Sequence, residues 1–231
     1  MDGRRRTQGR ASFWGLLAVA LVARYACHAL MLLVVLDHER TPAPVLPDLI
    51  LARVPYVDAV ARWNYLLWLL CYVPGALYLG WRNRSLFLRF LLLDGLLALL
   101  RGLTIPLTSL GPVLGPDLNA QHAFPLWSTW LSILNPVSAI MGNTAGIYLT
   151  KDLFFSGHVA TTFLLYLFAR RLGPVSRVYL ALNLFTTTMV FLAHLHYTID
   201  VVGAYALTYC LFRAGEKVGW VPGPLRGAER W

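Results

Sequence analysis

An all-α membrane protein, a bundle of six transmembrane helices with both termini in the cytoplasm, is the fold class this chain predicts. Three features carry that prediction. Hydrophobic residues make up 58% of the 231 residues and charged ones only 13%, a composition outside the soluble globular range. Six apolar runs approach the roughly 20 helical residues that cover a bilayer's hydrocarbon core at about 1.5 Å rise each. Basic residues punctuate the ends of those runs, and their bias alternates from one connection to the next.

The first run, Phe13 to Leu36, follows Arg4, Arg5, Arg6 and Arg10. It is longer than a signal-peptide core and no small-residue cleavage site follows, so it reads as an uncleaved anchor. A connection rich in proline (Pro42, Pro44, Pro47) leads to Leu49–Arg62, whose mixed pattern with Pro55 inside it predicts a helix lying on the interface. Trp63 to Leu79 and Leu86 to Leu110 are the second and third runs.

A long connection then begins at Gly111-Pro112 and carries Trp127, Trp130 and Tyr148, aromatic residues of the kind found at headgroup level. Within it, Leu126–Leu149 is apolar but broken by Asn135-Pro136, Gly142-Asn143 and Gly146. It reads as a re-entrant or interfacial segment in preference to a seventh span. Phe154 to Phe168, Val178 to His194 and Ile199 to Phe212 complete the six, and Trp220–Trp231 reads as a flexible tail. The whole is one integral membrane domain: a basic cytoplasmic segment (1–12), a six-helix catalytic region (13–215) and a cytoplasmic tail (216–231).

A net charge of +9 invites a nucleic-acid reading, but the 20 basic residues lie on no single face or tail. Fourteen of them fall on the side of the amino terminus, around Arg82, Arg84 and Arg89, around Arg170, Arg171 and Arg177, and in the segment holding Arg213, Lys217, Arg226 and Arg230. The other side has Arg40, Arg53, Arg62 and Lys151, while Arg24 and Arg101 lie inside spans. The excess of Arg over Lys, with only Lys151 and Lys217, suggests a GC-rich bacterial source and hence an inner membrane. Cys27, Cys71 and Cys210 fall within spans as small hydrophobes, without metal-ligand spacing. No cofactor, metal or nucleic acid is expected, and self-association is left open.

Two polar strings stand out at the edges of these runs: Ser156-Gly157-His158 and His196-Tyr197-Thr198-Ile199-Asp200. Ser156 has the character of a helix N-cap, which puts His158 in a first turn, where orphan amides and the helix dipole favour phosphate. Two spans separate the strings, so parity returns both to the exoplasmic surface. His196 and Asp200 are four apart, a spacing that puts them on one helical face, with the carboxylate orienting one imidazole nitrogen and the other free to attack. A second histidine opposite can protonate a leaving alkoxide. His28, His38, His122 and His194 lack such partners and read as structural or interfacial. Asp94 lies two turns before Arg101 on roughly the same face. The pair reads either as a structural ion pair or as leaving Arg101 to bind phosphoryl oxygens as charge develops.

At these residues the chain closely resembles the sphingomyelin synthase family, a branch of the lipid phosphatase and phosphotransferase superfamily related to type 2 phosphatidic acid phosphatases. Asp152–His158 resembles the family's third motif and Ala193–Val201 its fourth. Pro44-Val45-Leu46-Pro47-Asp48 resembles the first, and Arg89-Phe90 with Gly95 through Arg101 to Thr104 the second. Thr150 and Lys151 stand where the family has cysteine and glycine, and Leu195 where it has an acidic residue.

The resemblance implies that His196 takes a phospho-headgroup, phosphocholine or phosphoethanolamine, from a glycerophospholipid through a phosphohistidine. His158 would protonate the diacylglycerol leaving group and Asp200 would orient His196. Asp152, Ser156, Gly157 and Tyr197, with Arg101, would bind substrate. The implied partners are thus a phospholipid donor and a lipid alcohol acceptor such as ceramide. A lipid phosphate phosphatase or phospholipase C-like hydrolase is the alternative within the superfamily. Its phosphatases, however, carry a lysine-rich motif and an arginine six residues before the nucleophilic histidine, where this chain has Val190. A non-catalytic scaffold or transporter is the alternative of another class.

Overall fold

The computed structural model describes residues 2–115, 117, 119, 124–135 and 149–221, with side chains described from residue 13 onward. Among them every regular element is helical: α1 (Asp2–His38), α2 (Asp58–Arg82), α3 (Arg84–Thr108), α4 (Leu126–Leu134), α5 (Gly157–Ala169), α6 (Ser176–Leu192) and α7 (Thr198–Lys217). Three stretches are long and apolar enough to cross a membrane by length and composition: Phe13–His38, Arg84–Thr108 and Gly157–Leu192. The last holds both α5 and α6. Gly173, at φ 78°, reverses the chain between them, and Asn183 Nδ2 donates to the Val159 carbonyl and to Thr162 Oγ1 at 3.2 and 2.9 Å.

Cross-helix contacts fix the helix directions. A Cβ on Gly95 would lie 3.3 Å from the Arg24 Cα and one on Gly102 3.3 Å from the Met31 Cα, so α3 runs parallel to α1 along a seam that two glycines keep close. Along α2, Val57 N donates to the Leu192 carbonyl (2.8 Å), Trp68 Nε1 to Thr161 Oγ1 (3.1 Å), and Gly75 accepts from the Tyr179 hydroxyl (2.7 Å), so α2 descends where α3 climbs. On α7, Gly203 abuts Phe154 and Phe155 while Gly215 abuts Leu93, so α7 also runs against α3. The six long helices therefore alternate in direction. The connections bearing the two polar strings gather at one end, and the turns carrying Arg82, Arg84, Arg170 and Arg171 at the other.

α5 is the hub. Val159, Ala160, Leu164, Leu165, Leu167, Phe168 and Ala169 are all buried, and a helix apolar and covered on nearly every side belongs at a bundle's centre. Large apolar side chains on the periphery, among them Val22, Leu77, Leu103, Leu107 and Val202, are more than half exposed, as an outer surface facing hydrocarbon requires.

One expectation is corrected. The interfacial helix over Leu49–Arg62 is a single 3₁₀ turn, Leu51–Arg53, followed by extended Val54 and Val57, and α2 already starts at Asp58. Pro55 lacks a donor and forces Val54 out of the helical region (φ −88°, ψ 128°), while the Asp48 carboxylate takes the Ile50 and Leu51 amides into a tight turn. Among the described residues the apolar segment after Pro125 forms the nine-residue α4, about 13 Å long and short of a span. Its continuation from 136 to 148, with Gly142-Asn143, Gly146 and Tyr148, lies outside the described residues, as do His122 and residues 222–231.

Candidate active site

The two polar strings meet. The Ser156 amide donates to the carbonyl of Asp200 at 3.2 Å, so the start of α5 and the start of α7 are joined main chain to main chain. Ser156 is the N-cap of α5: its hydroxyl accepts from the Val159 amide at 3.5 Å and its carbonyl from Ala160 at 3.0 Å. The amides of Gly157 and His158 then have no acceptor inside the helix and point out of its positive end.

α3 pins this string from the side. Arg101, 7% exposed, donates through Nε to the Phe155 carbonyl (2.8 Å) and through Nη2 to Asp152 Oδ1 (2.6 Å), and Thr104 Oγ1 donates to the Phe154 carbonyl (3.1 Å). The third guanidinium nitrogen, Nη1, passes over Gly157, where a Cβ would lie 2.6 Å away. Only glycine fits there. Burial pushes the Asp152 carboxyl up, but Arg101 above all, then His196 and His158, outweigh burial and hold it below the usual carboxylate range. One carboxylate thus senses Arg101 and both histidines.

His196 is 4% exposed, and its Nδ1 lies 3.3 Å from Asp200 Oδ2. The pairing is real, but its origin differs from the expected helical face. α7 begins only at Thr198, and Asp200 reaches back as a helix cap, accepting the Tyr197 amide at 3.0 Å on the oxygen that also faces His196. The carboxylate accepts, so Nδ1 carries the proton, and in the neutral ring Nε2 has the lone pair. His158 packs its ring edge-on against Trp68 (centroids 5.4 Å), and its buried Nε2 has no hydrogen-bond partner among the described residues. Nor does Asp200 Oδ1.

Tyr197 is a clamp. Its hydroxyl donates towards the Gly111 and Pro112 carbonyls (3.1 and 3.3 Å) and accepts from the Leu46 amide (3.2 Å), tying two distant connections to the His196 string. Asp48 does the same for α7, accepting the Thr198 amide (2.5 Å) and hydroxyl (2.9 Å). Sequence singled out the Pro44–Asp48 motif but gave Asp48 no task. The signal was a lone acid in a proline-rich connection, uninformative until Thr198, 150 residues later, is seen beside it. Trp68 was missed too, although Tyr65, Trp68 and Tyr72 share one face of α2 and stack in sequence.

The Asp94–Arg101 ion pair is not formed. Asp94 binds Arg24 of α1 at 2.7 Å and accepts from the Tyr72 hydroxyl at 3.0 Å, while Arg101 is taken by Asp152. Two turns along α3 separate the residues by about 10 Å, and each finds a partner on another element. Phe155 is fully buried, and of the headgroup-level aromatic residues Trp127 and Trp130 meet edge to face, with the Trp130 indole donating to the Ala29 carbonyl (2.8 Å). His194 stands apart from the His196–Asp200 pair, its Nε2 on the Val54 carbonyl at 3.0 Å. Among the described residues no His, Cys, Asp or Glu cluster could hold a metal ion.

Residues 151–217, which carry both strings, match the family model PAP2 superfamily C-terminal. Sphingomyelin synthase-related protein 1 of Homo sapiens is 33% identical over 202 residues, covering 78% of this chain and 46% of that one. Human phosphatidylcholine:ceramide cholinephosphotransferase 1 is 28% identical over 223 residues (86% and 52%), and human phosphatidylcholine:ceramide cholinephosphotransferase 2 is 30% identical over 232 residues (87% and 60%). The chain belongs to the sphingomyelin synthase family. It spans about half the length of the curated relatives it matches. For a sphingomyelin synthase family member the joined strings acquire a meaning beyond packing: the matched region begins at Lys151, one residue before Asp152, and ends at the last residue of α7.

Proposed function

We propose that this protein is a lipid phosphotransferase that moves a phospho-headgroup from a glycerophospholipid to ceramide or a similar lipid alcohol. The observation that carries this reading is the junction of the two strings, which brings together at one helix N-terminus an oriented imidazole, an imidazole whose Nε2 has no hydrogen-bond partner among the described residues, and an arginine.

In the first half-reaction His196 Nε2 attacks phosphorus, the bond from phosphorus to the diacylglycerol oxygen breaks, and His158 gives that oxygen its proton. Asp200 holds the His196 Nδ1 proton and stabilises the cation as the nitrogen–phosphorus bond forms. Arg101 Nη1 and the first amides of α5 face the phosphoryl oxygens as charge gathers on them. In the second half His158, now neutral, takes the proton of the incoming hydroxyl, whose oxygen displaces His196 from phosphorus. The phosphodiester is a monoanion, for which one arginine and a helix terminus are a sufficient counter-charge.

The alternating helices and the arginine-rich turns at the far end support six spans with cytoplasmic termini and a site on the exoplasmic face. The test is to supply headgroup-labelled phosphatidylcholine or phosphatidylethanolamine to the protein in liposomes with and without ceramide. Label should pass to ceramide with release of diacylglycerol, and His196→Ala should lower this by about three orders of magnitude. Free labelled headgroup phosphate regardless of ceramide would make it a hydrolase, and unmoved label a scaffold.

A further inference from the structure

Beside the His196 string lies a cavity of about 180 Å³ that the phosphoryl chemistry leaves unused. Its walls come from three connections: Leu46, Asp48 and Leu51 from the one before α2, Val113 from the one after α3, and His194 and Tyr197 from the one before α7. That volume, open on one side, is below the roughly 300–1,000 Å³ of pockets for drug-sized ligands and suits a headgroup.

We propose that this cavity seats the cationic amine of the donor's headgroup, with Asp48 as its counter-charge and the Tyr197 and His194 rings as its walls. The inference rests on the transferase reading above and deepens it.

Four observations carry it. His194 and Tyr197 flank His196 in the chain, and consecutive Cα atoms are 3.8 Å apart, so the cavity adjoins the nucleophile's own backbone. A headgroup nitrogen is joined to its phosphate by only two carbons and must lie close to any phosphorus bonded to His196. Asp48 Oδ1 is taken by the Ile50 and Leu51 amides and the Thr198 hydroxyl, but among the described residues Oδ2 accepts only from the Thr198 amide, which leaves it a lone pair for the cavity. Although burial pushes the Asp48 carboxyl up, these donors outweigh it and hold the group below the usual carboxylate range, so it is an anion in a chain of net charge +9. An anion and an aromatic face together are what an ammonium cation seeks.

The third wall is set with the same care. His194 is held at φ 49°, a left-handed conformation uncommon for a side-chain-bearing residue. A carbonyl can only accept, so His194 Nε2 donates to Val54, and in the neutral ring Nδ1 remains as an acceptor. Its ring also packs edge-on against Tyr56 (centroids 5.6 Å).

The experiment compares kcat/KM for two donors in the same liposomes: phosphatidylcholine, and phosphatidylpropanol, whose headgroup carries no cation. Asp48→Asn keeps the side chain's volume and the Oδ1 contacts but removes the charge. It should lower the choline-to-propanol ratio about tenfold, whereas a loss of helix capping alone lowers both rates and leaves the ratio intact. Val113→Phe fills the cavity without touching the Asp48 contacts and should lower the same ratio, which decides the matter if Asp48→Asn fails to fold. A ratio unchanged in Val113→Phe and in any folded Asp48→Asn, with wild-type protein transferring choline, overturns the site. Wild-type protein that transfers neither headgroup overturns the transferase reading, and the site with it.

Discussion

Gly157 shows how much of the candidate site depends on one missing methyl group. Its place between Ser156 and His158 was legible as a phosphate-binding signature, but the reason for glycine was not, because Arg101 lies 56 positions upstream and only folding brings its guanidinium over the Gly157 Cα. An alanine there would set its Cβ 2.6 Å from Nη1, so the guanidinium must leave. Alanine is also the better helix former by about 1 kcal/mol. Loss of the buried Arg101–Asp152 pair outweighs that gain, so Gly157→Ala should lower the thermal midpoint and cost at least tenfold in transfer rate, measured as label passed to ceramide. The Asp94–Arg101 spacing misled for a related reason: a shared helical face says which residues could meet, and Arg24 and Asp152, from other elements, offered better geometry.

Element boundaries explain what else was readable. The helix cores were legible in their apolar runs, of which the longest, in α1 and α3, outlast any soluble alternative, and Ser156 announced the start of α5. The pairing of His196 with Asp200 was also anticipated, yet as two residues of one helix. The boundary at Thr198 makes Asp200 a cap that reaches back, which sequence spacing alone does not distinguish. The end of α1 holds a further element that the sequence hid. Glu39, fully buried, accepts the Lys151 amide, Asn119 Nδ2 (2.7 Å) and Thr150 Oγ1 (2.8 Å), while Lys151 Nζ reaches the Thr41 carbonyl (2.8 Å) and Asp117 (2.9 Å). This latch fixes the residue before Asp152.

Burial raises the Glu39 carboxyl from 4.5 to about 7, against the donors that favour its anion. The folded protein therefore binds the proton more tightly than the unfolded chain. The stabilisation is complete below about pH 4.5 and is lost as pH rises through about 7. In detergent, the thermal midpoint should fall across that window in the wild type, and Glu39→Gln, which is neutral throughout, should at least halve the fall. An equal slope in both proteins would place the pH dependence elsewhere.

At the scale of the whole molecule, alternating helices bring four separate connections to one end: those before α2, after α3, before α5 and before α7. Basic residues crowd the other. Parity alone foresaw that the two histidine strings would share an end. It could not foresee the clamps, Tyr197 on Leu46, Gly111 and Pro112 and Asp48 on Thr198, since such pairings join residues up to 151 positions apart. The central claim is that this end carries the phospho-headgroup covalently on His196 between donor and acceptor. Phosphorus-labelled phosphatidylcholine, mixed with the protein without acceptor and quenched within one turnover, tests it most directly. The account predicts an acid-labile, base-stable label on the protein, absent in His196→Ala and discharged by ceramide. Turnover to ceramide with no labelled protein at any time, or label retained in His196→Ala, would contradict it.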